Sequence, residues 1–181
     1  MAEMRVESQA DVNSASHNRQ GGSKLAFVTG ASGFVGKHLV PELVSEGYEV
    51  RCLIRQSLPT EFNSLNGVSG VVGDLHNLDA LREGVAGVDY VFHVAGVTGA
   101  PSEAEYYLHN VMGTRNVVNA VLAVKPPIKR FVFVSSQAAA GPSAGQPRRE
   151  TDVSNPITAY GRSKLEAEEF LFSKSTHLPY I

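Results

Sequence analysis

The sequence has 181 residues, which is enough for one domain with a sizeable core, and its 43% hydrophobic and 19% charged residues are ordinary for a folded soluble protein. The formal net charge of -2 lacks the clustered basic excess that nucleic acids and anionic membrane surfaces attract. No apolar run reaches the roughly 18 residues of a membrane span, and residues 1–23 are too polar for a signal peptide. The single cysteine, Cys52, cannot form an internal disulfide, which fits a reducing compartment. We therefore predict a cytoplasmic protein with no nucleic-acid or membrane partner, whose residues 1–23 form a flexible tail.

From Lys24 onward, short apolar runs alternate with helical patterns, which predicts βαβ units and a parallel sheet. The strand candidates are residues 24–29, 49–54, 68–72, 90–94 and 130–134. The helix candidates are residues 33–46, 78–85, 103–124 and 158–173. Ser102 and Glu105 form a capping box at the start of the third helix, and Pro41 predicts a kink or an irregular turn in the first. Several strands lack polar alternation, so we expect both faces of the sheet to be covered.

A glycine pattern follows the first predicted strand and precedes the first helix: Thr29-Gly30-Ala31-Ser32-Gly33-Phe34-Val35-Gly36. Gly30 can take a tight turn, Gly33 lets the backbone approach a pyrophosphate, and Gly36 lets the helix pack close to the strand. The helix N-terminus adds unpaired amides and the positive end of its dipole. The pattern predicts a dinucleotide phosphate loop. Because G-x-x-G-x-x-G is a weak signal alone, a glycine-rich turn without a ligand remains an alternative.

The end of the second strand distinguishes the two nicotinamide dinucleotides, because an acidic residue there binds the free ribose hydroxyl of NAD. No Asp or Glu stands at this strand end, and Arg55 occupies the neighbourhood instead. An arginine there can bind the 2′-phosphate of NADP through charge-assisted hydrogen bonds. This favours NADP, with NAD as the alternative if Arg55 is only a solvated surface charge.

Tyr160 and Lys164 stand four residues apart in a predicted helix, so their side chains lie on one face. An ammonium group near a phenol favours the phenolate, which exchanges protons near neutral pH. The same spacing also occurs by chance on ordinary surface helices. Ser135 and Ser136 end the fifth strand at the carboxyl edge, where open α/β sheets build their sites, and either hydroxyl can bond a substrate oxygen.

Six motifs stand in the order typical of the extended short-chain dehydrogenase/reductase family, which the sequence resembles from Lys24 to Ile181. They are residues 29–36, Gly73-Asp74-Leu75, His93-Val94-Ala95-Gly96, Asn110-Val111-Met112-Gly113-Thr114, Val134-Ser135-Ser136 and Tyr160-Gly161-Arg162-Ser163-Lys164. The family includes sugar-nucleotide epimerases and dehydratases, and enzymes like dihydroflavonol reductases and hydroxysteroid dehydrogenases. The resemblance implies a Rossmann-type doubly wound parallel sheet over residues 24–181 that binds NAD(P).

The resemblance also implies which residues bind the cofactor. Asp74 would contact the adenine amino group while Leu75 flanks the ring, although Asp74 alone could simply cap the turn after the third strand. Residues 94–96 would line the middle of the cofactor. The whole implied set is Gly30, Ser32, Gly33, Phe34, Val35, Gly36, Arg55, Asp74, Leu75, Val94, Ala95, Gly96, Tyr160 and Lys164.

The implied catalytic residues come from three motifs. Ser136, rather than Ser135, would orient the substrate oxygen, and Tyr160 would be the acid/base. Lys164 would hold the ribose hydroxyls and favour the phenolate. Asn110 would be linked to the site through water, unless it is only an exposed polar position on its helix.

His93 is an isolated histidine at a strand end, with no second ligand at metal spacing. We therefore assign no metal and expect a packed, hydrogen-bonded side chain.

Residues 177–181 are typical of the start of strand six, which family members follow with further cofactor contacts and a substrate-binding subdomain. We therefore expect the domain of residues 24–181 to be truncated before these parts and incomplete at its C-terminal end. The fifth strand would then be an open sheet edge. The resemblance also implies a homodimer of the intact enzyme, formed through the helices at 103–124 and 158–173.

Three hypotheses for function follow. The first is an NADP-dependent oxidoreductase that moves a hydride between the nicotinamide and a carbonyl or alcohol carbon of a small-molecule substrate. The second is a sugar-nucleotide epimerase or dehydratase, in which the hydride returns to the sugar; Arg55 argues mildly against it, because many such enzymes resemble the NAD-binding branch. The third is a nucleotide-binding module without turnover, or an inactive fragment.

Overall fold

The computed structural model describes residues 23–143 and 145–181, and these form a five-stranded parallel sheet between helices. In chain order the strands are β1 (Lys24–Thr29), β2 (Tyr48–Ile54), β3 (Val68–Val72), β4 (Tyr90–His93) and β5 (Arg130–Phe133). Their order across the sheet is β3-β2-β1-β4-β5, and all neighbours run parallel. The order changes direction between β1 and β4, and open α/β sheets bind ligands at such a switch point.

The helices cover both faces of this sheet. They are α1 (Phe34–Ser45), α2 (Leu78–Val85), α3 (Glu103–Tyr106), a π-helix (Tyr107–Met112), α4 (Gly113–Val124), α5 (Gln137–Ala140) and α6 (Ala159–Phe172), with a 3₁₀ turn at Thr60–Phe62. One core cluster contains Phe27, Leu81 and Phe131, and the other contains Val40 and Phe62. The prediction of a sheet covered on both faces is therefore confirmed. No helix in the described part of the chain is long and apolar enough to cross a membrane.

The predicted helix at 103–124 is not one regular helix. Ser102 caps its start by accepting a hydrogen bond from the Glu105 amide at 3.3 Å, which is the serine half of the predicted capping box. The middle is the π-helix, in which the Gly113 amide donates to the carbonyl of Leu108, five residues earlier. This wider turn shifts the side chains that follow, and such insertions are frequent at functional sites. The first helix, in contrast, continues across Pro41.

The expectation of an open edge along β5 is wrong for the strand itself. Residues 179–181 run beside it: the Phe131 amide donates to the Pro179 carbonyl at 2.8 Å, and the Ile181 amide donates to the Phe131 carbonyl at 2.9 Å. A parallel bridge joins Phe131 and Tyr180. Buried Leu178 anchors this segment in the core. The predicted start of strand six therefore pairs with β5. The predicted tail, apart from Ser23, lies outside the described residues.

Candidate functional site

The glycine loop, residues 29–36, forms a tight turn between β1 and α1. Gly30 has a φ of +76°, and a Cβ there would lie 2.6 Å from the Ala95 nitrogen. A Cβ on Gly36 would lie 2.2 Å from the Gly30 carbonyl oxygen. Both distances are too short for any side chain. Gly33 is different, because its Cβ would meet only the Gly30 carbonyl oxygen, at 3.3 Å. The loop is therefore closed toward the sheet and open toward solvent.

The open side of the glycine loop is also the N-terminus of α1. Gly33 is the N-cap, and no side chain caps the helix there. The first amides of a helix have no partner within the helix, and the positive end of the helix dipole lies at them. Ser32 and Val35 are exposed beside these amides, and Phe34 is 83% exposed. This arrangement can bind an anionic group such as a phosphate.

Parallel pairing brings the ends of β1, β2 and β3 to the same edge as the glycine loop. Arg55 follows β2 directly and is exposed, and among residues 23–143 and 145–181 it has no hydrogen bond or ion pair. Asp74 stands after β3, where its Oδ1 accepts from the amides of His76 at 2.8 Å and Asn77 at 3.1 Å. The turn-capping role is thus occupied by one carboxylate oxygen. Leu75 is half-buried, and its carbonyl accepts from the Asn116 side chain at 2.9 Å.

The end of β4 carries His93, which is 0% exposed. Its Nδ1 lies 2.7 Å from Thr29 Oγ1 and its Nε2 lies 2.9 Å from Thr114 Oγ1, while its ring stacks on Phe133 at 5.7 Å. Burial, reinforced by the positive charge of Lys164, lowers the pKa of His93 to about 3. The expectation of a packed, hydrogen-bonded histidine is confirmed. Within the described part of the chain, no three His, Cys, Asp or Glu side chains converge to hold a metal ion.

After His93, residues 94–96 pass between the glycine loop and the π-helix. The Ala95 amide donates to Thr29 Oγ1 at 3.3 Å. Asn110 in the π-helix is buried, and its Oδ1 accepts from the Val97 amide at 2.8 Å. Its Nδ2 donates to the Val97 carbonyl at 3.0 Å and to Ser163 Oγ at 2.9 Å. The alternative of an exposed polar position is therefore wrong, since the amide group of Asn110 joins the loop directly to α6.

The start of α6 lies against α5, a short helix that the sequence did not predict. A Cβ on Gly161 would lie 2.3 Å from the Ala138 carbonyl oxygen, so only glycine allows this approach. Ser136 caps α5, with its Oγ accepting from the Ala138 amide at 3.2 Å. The ring of half-buried Tyr160 lies 5.9 Å from that of Tyr106. Ser136 and Tyr160 thus stand on two helices in direct contact.

Lys164 is 4% exposed, and its Nζ donates to the Val134 carbonyl at 2.7 Å above the Phe133 ring. Burial lowers the pKa of Lys164 to about 8, and the negative charge of Glu168 opposes this shift. Ser135 donates to Glu168, so this serine already has a partner.

The predicted catalytic side chains therefore lie in one region without being joined. No hydrogen bond in the described residues joins Tyr160 to Lys164 or to Ser136.

Sequence reasoning missed three buried hydroxyls that hold these parts together. They are Thr29 and Thr114, which contact His93, and Ser163, whose Oγ donates to the Tyr160 carbonyl at 2.7 Å. Each stands inside one of the six motifs, so the motifs did mark their positions. The partners could not be predicted, because each hydroxyl can serve as donor, acceptor or both.

Comparison with known proteins gives matches over most of the chain. Residues 26–177 match the model of the NAD dependent epimerase/dehydratase family. The chain is 34% identical over 151 residues to the 4-hydroxy-2-methyl-3-oxo-4-farnesyl-3,4-dihydroquinoline-1-oxide ketoreductase of Stigmatella aurantiaca, which covers 80% of this chain and 44% of that protein. It is also 34% identical over 162 residues to the 3-beta-hydroxysteroid dehydrogenase of Mycolicibacterium neoaurum, and this match covers 82% of this chain and 43% of that protein.

Solved structures have the same fold. MoeE5 in complex with UDP-glucose and NAD matches with a TM-score of 0.75 at 30% identity, covering 88% of this chain and 52% of that chain. This chain therefore spans about half the length of the relatives and structures it matches.

Proposed function

Since the chain belongs to the NAD dependent epimerase/dehydratase family, we propose that the protein carrying it is an NADP-dependent oxidoreductase acting on a carbonyl or alcohol. The observation that carries this proposal is that an open glycine loop follows β1 and the α5–α6 pair with Ser136 and Tyr160 follows β5, at the same edge of the parallel sheet. The relatives named as a ketoreductase and a dehydrogenase support the same class of reaction.

The glycine loop fits a dinucleotide pyrophosphate, because Gly30 and Gly36 let the turn close while Gly33 leaves its outer side free. We assign the pyrophosphate to the amides at the start of α1, with Ser32, Phe34 and Val35 around it. The second carboxylate oxygen of Asp74 would accept from the adenine amino group, with Leu75 beside the ring. Residues 94–96 would line the middle of the cofactor. When bound, the nicotinamide supplies or accepts the hydride.

We assign the preference for NADP to Arg55. Its exposed guanidinium stands at the end of β2 without a partner among the described residues, so a bound phosphate would not have to displace one. A planar guanidinium can bind a phosphate through two parallel hydrogen bonds. NAD has a neutral hydroxyl at the same ribose position, so it offers no negative charge for the guanidinium to bind.

The proposed chemistry needs a proton on the substrate oxygen, and Tyr160 is assigned to exchange it. Ser136 Oγ already accepts from the Ala138 amide, which leaves its O–H free to donate to the same substrate oxygen. Lys164 uses one of its three N–H groups on the Val134 carbonyl. The other two remain for the ribose hydroxyls and for stabilising the phenolate of Tyr160.

The epimerase or dehydratase reaction is the second candidate, favoured by one observation: MoeE5, a structural match, is in complex with UDP-glucose and NAD. The two reactions differ in whether they consume reduced nicotinamide. A reductase consumes one reduced nicotinamide for each carbonyl reduced, whereas an epimerase returns the hydride to the sugar and consumes none.

The test uses the full-length protein that carries this chain, with a panel of ketones and UDP-sugars. We expect NADPH to be consumed in step with a ketone. Conversion of a UDP-sugar without net NADPH consumption would support the second candidate, and no binding of either dinucleotide would refute both. We expect the 181-residue chain alone to bind NADP weakly and to show no useful turnover, because it spans about half the length of its relatives.

A further inference from the structure

A chain of buried hydrogen bonds runs from the glycine loop to the π-helix through His93. The Ala95 amide lies 3.3 Å from Thr29 Oγ1, which lies 2.7 Å from His93 Nδ1. On the other side of the ring, His93 Nε2 lies 2.9 Å from Thr114 Oγ1, which lies 2.6 Å from the Asn110 carbonyl oxygen. Both threonines, His93 and Asn110 are buried. Water therefore has little access to these bonds.

The fixed ends of this chain determine the direction of every bond. The Asn110 carbonyl can only accept, so the Thr114 hydroxyl donates to it and must accept from His93 Nε2–H. A neutral imidazole carries one proton, which leaves Nδ1 as an acceptor for the Thr29 hydroxyl. Thr29 Oγ1 can then accept from the Ala95 amide, which can only donate. Every group has a partner only if His93 is the neutral Nε2–H tautomer.

We propose that His93 is a positioning residue that, as the Nε2–H tautomer, fixes the loop of residues 94–96 relative to the helix carrying Asn110. The proposal rests on the proposed function, because these two elements would form neighbouring walls of the cofactor site. The linkage continues beyond Asn110, whose Nδ2 donates to Ser163 Oγ, which donates to the Tyr160 carbonyl. One run of directed bonds thus connects the glycine loop with the backbone of the tyrosine assigned to proton exchange.

Packing alone does not explain a histidine at this position. A phenylalanine would fill similar space and stack on Phe133, but Thr29 and Thr114 would each lose a buried partner. Buried hydroxyls without partners are costly, and relieving that cost requires the loop or the helix to move. The positioning role therefore depends on two opposite ring nitrogens, which only histidine supplies.

The first test reads the tautomer directly. Long-range proton–nitrogen correlation on the full chain labelled with ¹⁵N-histidine should show His93 with a protonated Nε2 and an unprotonated Nδ1. The His93→Gln variant identifies the signals by their loss. The pattern should persist from about pH 8 to about pH 5, because burial and the nearby Lys164 charge oppose protonation. A proton on Nδ1, or a charged ring in this range, would overturn the proposal.

The second test asks whether removing the Thr114 hydroxyl, on one side of the His93 ring, alters the hydrogen bond of the Ala95 amide on the other side. Thr114→Val removes the hydroxyl with little change in shape, and Thr114→Ser keeps it. Hydrogen exchange of the Ala95 amide, across the ring from Thr114, should become about tenfold faster in Thr114→Val and stay near wild type in Thr114→Ser. The Val50 amide lies outside this chain of bonds and donates to the Gly67 carbonyl at 2.8 Å. Its exchange rate should not change in either variant, so it controls for general destabilisation.

Binding of NADP gives the functional half of the same experiment. Thr114→Val should weaken NADP binding about tenfold, and Thr114→Ser should restore it. If Thr114→Val leaves both Ala95 exchange and NADP affinity unchanged, the proposal is wrong. If the wild-type chain binds no dinucleotide, the proposed function fails, whereas the tautomer and the exchange of Ala95 still decide whether His93 links the two walls.

Discussion

At the glycine loop the geometry is set by backbone atoms, whereas around Lys164, further along α6, it is set by side-chain contacts. Gly30 and Gly36 have backbone atoms where a Cβ would stand, so that turn has little freedom to change. Lys164, in contrast, points its ammonium group at the Val134 carbonyl, and Ser135 donates to Glu168. Side chains exchange partners far more easily than a packed backbone rearranges. The loop proposed to bind the dinucleotide is therefore formed in advance, while the proposed catalytic residues would require Lys164 to share its contacts with a ligand.

The largest effect should come from Tyr160→Phe in the full-length protein that carries this chain. Removing the hydroxyl should lower turnover about 100- to 10,000-fold, because proton transfer is lost, while NADP affinity stays nearly unchanged. Steady-state kinetics and a cofactor titration measure the two quantities separately. Tyr106→Phe is the matched control, because this neighbouring hydroxyl donates to the Thr98 carbonyl and is assigned no step in the proposed reaction. Near-normal turnover of Tyr160→Phe would contradict the assignment of Tyr160 as the acid/base.

Gly36→Ala and Gly33→Ala separate folding from binding within one loop. The Cβ at Gly36 would lie 2.2 Å from a carbonyl oxygen, so we expect a loss of about 3 kcal/mol in the free energy of unfolding. The Cβ at Gly33 meets one oxygen at 3.3 Å, and the loss there should be about 1 kcal/mol. Gly33→Ala should nevertheless weaken dinucleotide binding, because its methyl group occupies the outer side of the turn.

Urea unfolding and cofactor titration of the two glycine variants test this contrast. Equal stabilities would contradict the view that the backbone closes the loop at Gly36. Unchanged binding in Gly33→Ala would instead contradict the assignment of the pyrophosphate to the open side.

The burial of Lys164 should make stability depend on pH. Its pKa falls from 10.5 to about 8 on folding, so between these values the unfolded chain binds more protons than the folded one. The free energy of unfolding should therefore rise as the pH rises from about 8, and below that pH the full cost of burying the charge is present. Lys164→Met removes this cost. The Lys164→Met variant should be more stable than wild type at neutral pH, by on the order of 1 kcal/mol. Its free energy of unfolding should also lack the rise with pH that Lys164 causes above about pH 8.

Denaturant unfolding at a series of pH values, on both proteins, measures the difference. Parallel curves for wild type and Lys164→Met would show that Lys164 stays charged without penalty. The comparison is made between variants because other lysines and tyrosines also titrate at high pH.

The strands and the glycine loop could be predicted because their causes are local. Apolar runs predict buried strands wherever both faces of the sheet are covered, and Gly30 and Gly36 stand where any side chain would collide. The π-helix was missed, because residue periodicity does not specify which carbonyl accepts the hydrogen bond of the Gly113 amide. Four-residue α5 was missed because it is shorter than any periodic pattern.

The partners at the candidate site were not predictable for a further reason. Lys164 contacts Val134, 30 residues earlier, and Ser135 contacts Glu168, 33 residues later. Such contacts depend on how α6 lies against β5, which no local pattern specifies. Motif order did predict that these residues belong to one site, and this stays a prediction. Turn capping by Asp74 was one of two interpretations, but the sequence could not indicate that a single carboxylate oxygen would accept both amides.

The smallest effects should distinguish two arginines, one within β2 and one directly after it. Arg55 has no partner among the described residues, whereas Arg51 donates from Nη1 to the carbonyls of Glu83, Gly84 and Ala86, at 2.9 to 3.0 Å. Arg55→Ala should weaken NADP binding about tenfold, leave NAD binding unchanged and have little effect on stability.

Arg51→Ala should do the reverse, because it removes a cation that caps the C-terminal carbonyls of α2. We expect a loss of about 1 kcal/mol in the free energy of unfolding and no change in the ratio of NADP to NAD affinity. Titrating both dinucleotides against both variants at one salt concentration compares them directly, because binding of a phosphate by an exposed arginine weakens as salt increases. Equal losses of NADP and NAD affinity in Arg55→Ala would mean that this arginine acts as a general surface charge and does not recognise the 2′-phosphate.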